Sequence, residues 1–450
     1  MFIRGVVYPL METFKGNKIR TYLKELKETE TLDRTQIIEF QKEKLRKLLL
    51  HCIKNVHAYK QFEYLESLIN TDPLKALEAF PVLTKRDFSS HREQYISSIA
   101  NKESLIPYNT GGSTGAPVKF YVDRATLEYY SAARLKGLSW WGIEIGAPCI
   151  MVWGSPIELN QYQNKVYRLK ERFLKNSILI SAYDLQPNKM KEIMKQVDSF
   201  RPAYFYGYAT ALTTFALLMK KQNLSFKSSF KGVVSTAETL SQEQRTIIEE
   251  AFKAPVINEY GAKDAGIIAY QHPDGNMYVM EDTLVLEVFD VQHNTVKLED
   301  GNAGLATVTD LNNFAMPRIR YQLGDVITVS KEINPKNTLK FKTLDNIEGR
   351  EDDIFVSQSG KLIHGHYWAH IVRSMNGIEQ FQIIQHDMEH VTLKIVPKAS
   401  SLDQKEIDKL LNKIQEALGK VNVDLQVTDK IEPASSGKIR YAIREFPLGL

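Results

Sequence analysis

The 450-residue chain carries 58 basic and 54 acidic side chains, a formal charge of +4, with 43% hydrophobic and 25% charged residues. That suits a globular protein of roughly two to three domains and is too weakly basic for a dedicated nucleic-acid binder. Two cysteines, Cys52 and Cys149, exclude a disulfide framework or a multi-thiolate zinc site, and no run of about 18 apolar residues could span a bilayer.

The N-terminus lacks the apolar core and small-residue cleavage site of a secretion signal, so a cytoplasmic protein is expected. Phe2, Ile3, Val6, Val7, Leu10, Met11 and Phe14 recur at helical spacing. Such a stripe fits docking on the protein's own body or on a partner subunit such as a homodimer mate. A peripheral membrane-surface helix through residues 2–14 is the alternative, and Pro9 counts against an unbroken helix.

Residues 1–100 read as helix, with apolar spacing over 35–54 and Asp33 or Thr35 as its cap. Phe80-Pro81-Val82-Leu83-Thr84-Lys85 breaks that pattern, and two short strands flank a glycine-rich loop beyond it. Strands then alternate with helices over 124–141, 187–199, 209–221 and 241–252, which indicates a largely parallel α/β sheet. After Asp264 the pattern changes to strands and turns. From about Asp353 a hairpin, a helix over 366–375, a second hairpin, a helix over 402–418 and a last strand make a small α+β unit. The fold class expected is α/β: a large N-terminal domain, 1–351, with mixed, mainly parallel sheets, and a small α+β domain, 352–450, which the resemblance given below implies is a mobile lid.

Five motifs could carry chemistry. The first, Thr110-Gly111-Gly112-Ser113-Thr114-Gly115, fits either a phosphate cradle of turned amides and hydroxyls or a solvent turn. It is neither a Walker A loop nor a Rossmann fingerprint. The second, Asn258-Glu259-Tyr260-Gly261-Ala262-Lys263-Asp264, follows a strand, where polar residues face the ligand crevice of an α/β sheet and a carboxylate could hold Mg²⁺. The third, Arg320 to Asp325, ends in an aspartate suited to ribose hydroxyls or to an ordinary Gly-Asp turn. Gly349-Arg350-Glu351-Asp352-Asp353 marks the seam between domains, and Ser435-Ser436-Gly437-Lys438 sets a lysine on a small turn.

In this order and spacing the motifs resemble the acyl-adenylate-forming superfamily, in its phenylacetate–CoA ligase branch with the capsule-biosynthesis proteins of the CapK type. The resemblance spans nearly the whole chain, including Asn55 to Tyr59, Phe80 to Lys85 and Arg201-Pro202 through Tyr208. It implies an AMP-forming ligase that uses ATP and Mg²⁺ to adenylate a small carboxylic acid. The acyl group then passes to CoA or to a sugar amine or hydroxyl in capsular polysaccharide biosynthesis.

By that resemblance Thr110 to Gly115 grip phosphates, and Glu238, Tyr260 and Gly261 border adenine and acid. Asp264 is linked to Mg²⁺, Asp325 binds ribose with help from Arg350, Asp352 is the hinge, and Lys438 is the catalytic cation. Asp264 stands where glutamate is more usual, and Lys263 beside a cation site is unusual. Trp153, Tyr206 and Gly207 are candidates for the acyl pocket.

The chemistry is charge compensation and in-line positioning, with no covalent nucleophile. The contrasting reading is a non-catalytic nucleotide-binding subunit of a polysaccharide assembly complex; an ADP-releasing phosphotransferase lacks its Walker lysine. His364, His366 and His370, with the pair His386 and His390, could bind a metal but fit surface or interface histidines better.

Overall fold

The computed structural model describes residues 16–109, 118–153, 165–291, 296–350, 353–359, 362–373, 377–398, 404–432 and 440–446. The stretch 2–14 lies outside them. Helix Ile19–Glu28 leads into helix Arg34–Asn55. The start of the second is fixed by a reciprocal cap, in which Asp33 accepts from the Gln36 amide and Gln36 reaches back to the Asp33 amide. Leu45, Leu48, Leu49 and Cys52 bury the helix's apolar face against Val285, Leu311 and Ile319. The break at Phe80 to Lys85 has a physical purpose. Leu83 donates its amide to the Arg320 carbonyl at 2.9 Å and accepts from the Gln322 amide at 3.0 Å, so the segment bridges in parallel to the main-sheet strand that begins at Tyr321.

Strands β1 (Ile106–Asn109) and β2 (Lys119–Val122) form an antiparallel hairpin whose last pair, Asn109 with Lys119, holds together the two ends of the glycine-rich segment. Then come β3 (Cys149–Trp153), β4 (Ser177–Ser181), β5 (Tyr204–Tyr208), β6 (Gly232–Thr236) and β7 (Val256–Ala262). They are followed by β8 (Gly266–Gln271), β9 (Met277–Val279), β10 (Leu284–Phe289), β11 (Ala303–Asp310), β12 (Tyr321–Val329) and β13 (Thr343–Arg350).

Among the described residues these build an eleven-stranded sheet in the order β10-β11-β12-β13-β9-β8-β7-β6-β5-β3-β4. The largely parallel sheet expected from the alternating pattern is found in β3 to β7; β8 turns back antiparallel on β7, and antiparallel pairing continues from there. The change falls at Asp264, where helices stop alternating with strands.

One face of the parallel half packs on helices Met190–Phe200, Ala209–Lys221 and Gln242–Phe252. Its centre is aromatic: Phe205 meets Phe230 and Phe252 edge-on, each with centroids 4.9 Å apart, an arrangement worth about 0.5–1.5 kcal/mol per pair beyond area burial. Helices Ile19–Glu28 and Arg124–Trp140 cover the other face. The second is fastened to the sheet by polar contacts. Tyr130 donates to Asp310 at 2.6 Å, Arg134 to Glu259, and Lys136 to Asp282 at 2.6 Å.

The C-terminal part has its own core. Strands β14 (Ile354–Val356) and β15 (Leu362–His364) pair as a hairpin. Strands β16 (Ile378–Gln385), β17 (His390–Pro397), β18 (Asn422–Val427) and β19 (Ala442–Arg444) form a sheet in the order β18-β17-β16-β19. Helices Gly365–Arg373 and Gln404–Leu418 bury Trp368, Leu410 and Ile414 against it. No helix among the described residues is long and apolar enough to cross a membrane.

Candidate functional site

Strand ends on both sides of the parallel-to-antiparallel junction bring three of the sequence candidates into contact. Tyr260, near the end of β7, donates its hydroxyl to Asp325 Oδ2 at 2.9 Å. Arg350, the last residue of β13, donates Nη1 to Asp325 Oδ1 at 2.8 Å and to the Leu323 carbonyl at 3.0 Å. Asp325 follows an irregularity within β12: Gly324 has φ +71°, a left-handed conformation that favours glycine, and a side chain there would meet Arg350 Nη2. Burial and then the Asp325 carboxylate raise the Tyr260 pKa well above the usual tyrosine value, so its hydroxyl stays a donor.

Sequence reasoning gave no role to Lys85, yet its Nζ donates to the Leu323 carbonyl at 2.6 Å. Thr84 caps the helix that Lys85 begins by accepting from the Asp87 amide at 3.1 Å. The cue available in sequence was a helix cap followed by lysine where the chain re-enters the sheet.

Asp264 is buried, with Oδ2 lacking any hydrogen-bond partner among the described residues. Its carbonyl accepts from Arg318 Nη2 at 2.6 Å; Arg318 is itself buried over the Phe120 ring (4.5 Å), and its Nη1 has no partner. Orphaned buried polar atoms of this kind ask for an additional group. A lone carboxylate oxygen suits Mg²⁺ and a spare guanidinium nitrogen suits phosphate, so the residues present fit a metal-bound polyphosphate. Arg318 was not singled out from the sequence, because its partners are distant in the chain.

The glycine-rich loop, Thr110, Gly111, Gly112, Ser113, Thr114 and Gly115, lies outside the described residues, as do Asp352 and Lys438. The loop's flanks do not: Val118 and Phe120 are buried in the same cluster as Tyr260 and Leu323.

Glu238 is occupied locally. Its Oε2 accepts from the Thr210 amide at 2.9 Å and hydroxyl at 2.8 Å, which places a carboxylate at the start of helix Ala209–Lys221. Ala237 just before it has φ +64°, a strained turn at a strand end.

Trp153 and Tyr206 do come together, stacked at 5.9 Å with 17° between rings, and Trp153 also meets Tyr208 at 4.1 Å. Gly207 packs against β3, where a side chain would come within 2.6 Å of the Val152 carbonyl. Gly261 sits at a register shift between β7 and β8.

A network absent from the sequence reading lies on the same sheet face as Tyr206. Glu259 Oε1 accepts from Tyr206 at 2.7 Å, Thr236 at 3.1 Å and Arg134 Nη2 at 3.2 Å, while Oε2 accepts from Arg134 Nε at 3.1 Å.

Of the histidines, the side chains of His364, His366 and His370 lie outside the described set. His386 contacts Glu445 at 2.7 Å and His390 contacts Asp387 at 2.9 Å, and no metal-ligand cluster occurs among the described residues. Both cysteines are buried and free. Burial pushes the Cys149 thiol up to about 12 and the Cys52 thiol well above its ordinary value. Iodoacetamide at pH 8 is therefore expected to label neither cysteine in the native protein and both after unfolding. Mass spectrometry checks this, and rapid native labelling of either would contradict it.

Residues 355–445 match the CapK C-terminal domain model. Protein CapK of Staphylococcus aureus is 24% identical over 454 residues, covering 99% of this chain and 96% of that protein. The phenylacetate-coenzyme A ligase of Thermus thermophilus is 21% identical over 368 residues, covering 79% and 80%. Among solved structures, 2-hydroxyisobutyryl-CoA ligase in the postadenylation state with 2-HIB-AMP gives a TM-score of 0.71 at 20% identity, covering 92% of this chain and 91% of that one. The same ligase with 2-HIB-AMP and CoA in the thioesterification state gives 0.60 at 19% identity, covering 93% and 91%. The fold is that of the adenylate-forming ligases, with its separate C-terminal domain.

Proposed function

We infer that this chain, which belongs to the acyl-adenylate-forming superfamily in its CapK and phenylacetate–CoA ligase branch, is an ATP-dependent, AMP-forming ligase acting on a carboxylic acid. The observation that carries the reading is the convergence of Tyr260 and Arg350 on Asp325, in the same buried cluster as Phe120 of β2. A carboxylate fixed by one tyrosine and one arginine, with Lys85 bonded to the same strand at Leu323, suits the ribose hydroxyls of a nucleotide.

The acid's carboxylate oxygen attacks the α-phosphorus of ATP, the bond to pyrophosphate breaks, and an acyl-adenylate forms. Amides and hydroxyls of Thr110 to Gly115 would hold the phosphates, and Arg318 would add a charge beside them. Asp264 would hold Mg²⁺, which when bound neutralises charge on the polyphosphate. Tyr260 and Gly261 would border adenine, with the Ala237–Glu238 turn at the same sheet end. Trp153, Tyr206 and Gly207 would line the acid's side.

Lys438 would supply a cation to the attacking and leaving oxygens, delivered by the C-terminal domain as it turns about Asp352. The Lys438→Ala variant is expected to lose at least about 100-fold in adenylation while binding ATP nearly as well as wild type. An exchange rate equal to wild type would remove Lys438 from the mechanism.

In the second half-reaction the acyl group passes to an acceptor, either the thiol of CoA or an amine or hydroxyl on a sugar precursor of a surface polysaccharide. The cytoplasm supplies ATP and CoA and keeps free thiols such as these reduced. Product analysis tests the reading: AMP and pyrophosphate should accumulate with the correct acid, whereas ADP would contradict it. Thioester formation that depends on CoA distinguishes the two acceptors.

A further inference from the structure

The most heavily hydrogen-bonded side chain at this end of the sheet is Glu259, and none of the roles above uses it. It directly precedes Tyr260 on β7, so Glu259 and Tyr260 face opposite sides of the strand. Tyr260 turns to Asp325, and Glu259 turns to helix Arg124–Trp140. Its side chain is only 1% exposed and accepts from four donor atoms, two of them on Arg134.

Arg134 is held but not hidden. Its side chain remains 43% exposed, with the guanidinium over the Tyr206 ring at 5.1 Å. Tyr206 in turn stacks on Trp153. Two buried donors on this face lack partners among the described residues: Trp153 Nε1 and the hydroxyl of Tyr270, which pairs across the ladder with Glu259. A saturated carboxylate thus fixes a guanidinium whose outer edge stays accessible, beside unspent N–H and O–H groups. The Arg134–Glu259 pair carries no net charge, so the surface it offers fits an uncharged oxygen better than a second ionised carboxylate. A bare alkyl end would leave the exposed part of Arg134 without an acceptor, and sites of that kind reject analogues lacking the hydrogen-bonding group.

We propose that Arg134, oriented by Glu259, is a specificity-determining residue that selects acids bearing an uncharged oxygen, a hydroxyl or a carbonyl, over plain alkyl or aryl acids. This rests on the ligase reading and names the substrate class of that same site. Glu259 is a positioning residue in this arrangement: it touches no substrate and sets the guanidinium's angle.

The test uses matched pairs differing by one oxygen: butanoate against 2-, 3- and 4-hydroxybutanoate, and benzoate against its hydroxylated forms, with succinate as the charged control. Each pair is read twice, as ATP–pyrophosphate exchange and as calorimetric binding without turnover. Wild type should prefer a hydroxylated member by at least about tenfold. The preference should collapse towards unity in Arg134→Met, mainly through KM, and survive in part in Arg134→Lys. Because Arg134→Met leaves Glu259 buried without its cation, the double variant Arg134→Met with Glu259→Gln provides a folded counterpart with the same expected loss.

The inference is overturned if wild type treats both members alike, prefers succinate, binds none of the acids, or keeps its preference in the double variant. Hydroxyl-selective binding lost in these variants, together with silent exchange, would support the specificity role while rejecting the ligase reading.

Discussion

Replacing Asp325 by alanine is expected to raise the ATP concentration required for half-maximal pyrophosphate exchange by roughly 100-fold, with a smaller change for the acid. Two hydrogen bonds from ribose hydroxyls to a carboxylate, each worth about 1.5–3 kcal/mol, amount to that factor at the lower end. The substitution also releases Tyr260 and Arg350, which meet only through the two oxygens of Asp325 in the contacts described above. Asp325→Asn retains an acceptor for Tyr260 and should fall between the two. Nucleotide titration of both variants checks the order, and an unchanged ATP requirement in Asp325→Ala would remove this residue from the nucleotide site.

The second large effect concerns stability. Lys136 and Asp282 are 0% and 1% exposed, 2.6 Å apart. Thr29 donates to the same Asp282 oxygen at 2.8 Å, and the lysine lies over the Phe341 ring at 4.3 Å. Asp282 Oδ1 has no hydrogen-bond partner among the described residues. Lys136→Met would leave a buried carboxylate facing carbon, a change that costs about 3–5 kcal/mol. At about 2–4 °C per kcal/mol the melting temperature should drop on the order of 10 °C. The double variant Lys136→Met with Asp282→Leu removes both charges and should recover most of the loss. Thermal unfolding of the pair decides it: a single variant as stable as wild type would show that the ion pair contributes little. The result matters for function because Arg134 and Lys136 share one helix, and this pair sets where that helix lies.

What was legible in the sequence and what was not divide by range. Helices such as Arg34–Asn55 and Gln242–Phe252 carry their caps and apolar spacing within the segment itself. The change from parallel to antiparallel pairing shows as the loss of helices after Asp264. Tyr260 was singled out after a strand, where ligands of α/β sheets bind, Asp325 after a glycine turn, and Arg350 at the domain seam; the structure brings these three together.

The polar network beneath them left no local trace. Glu259 is one residue from Tyr260, but its cation comes from a helix 125 positions away, and only the fold makes them neighbours. Lys136, Arg318 and Lys85 were missed for the same reason: a charged residue in a helix or turn looks solvated until the sheet that covers it is known. Glu238 shows the opposite limit. The resemblance gives its carboxylate a place beside the nucleotide, while here Oε2 caps the start of helix Ala209–Lys221, the helix just before β6 in the chain.

The central claim, that the protein joins a carboxylic acid to AMP, is tested most directly by ATP–pyrophosphate exchange with the wild-type protein across short hydroxy, alkyl, aryl and amino acids. The account predicts exchange that depends on one acid class, requires Mg²⁺, and falls with both Asp325→Ala and Lys438→Ala. Tight ATP binding with no exchange for any acid, or ADP as the product, would contradict it and leave a nucleotide-binding subunit or a phosphotransferase in its place.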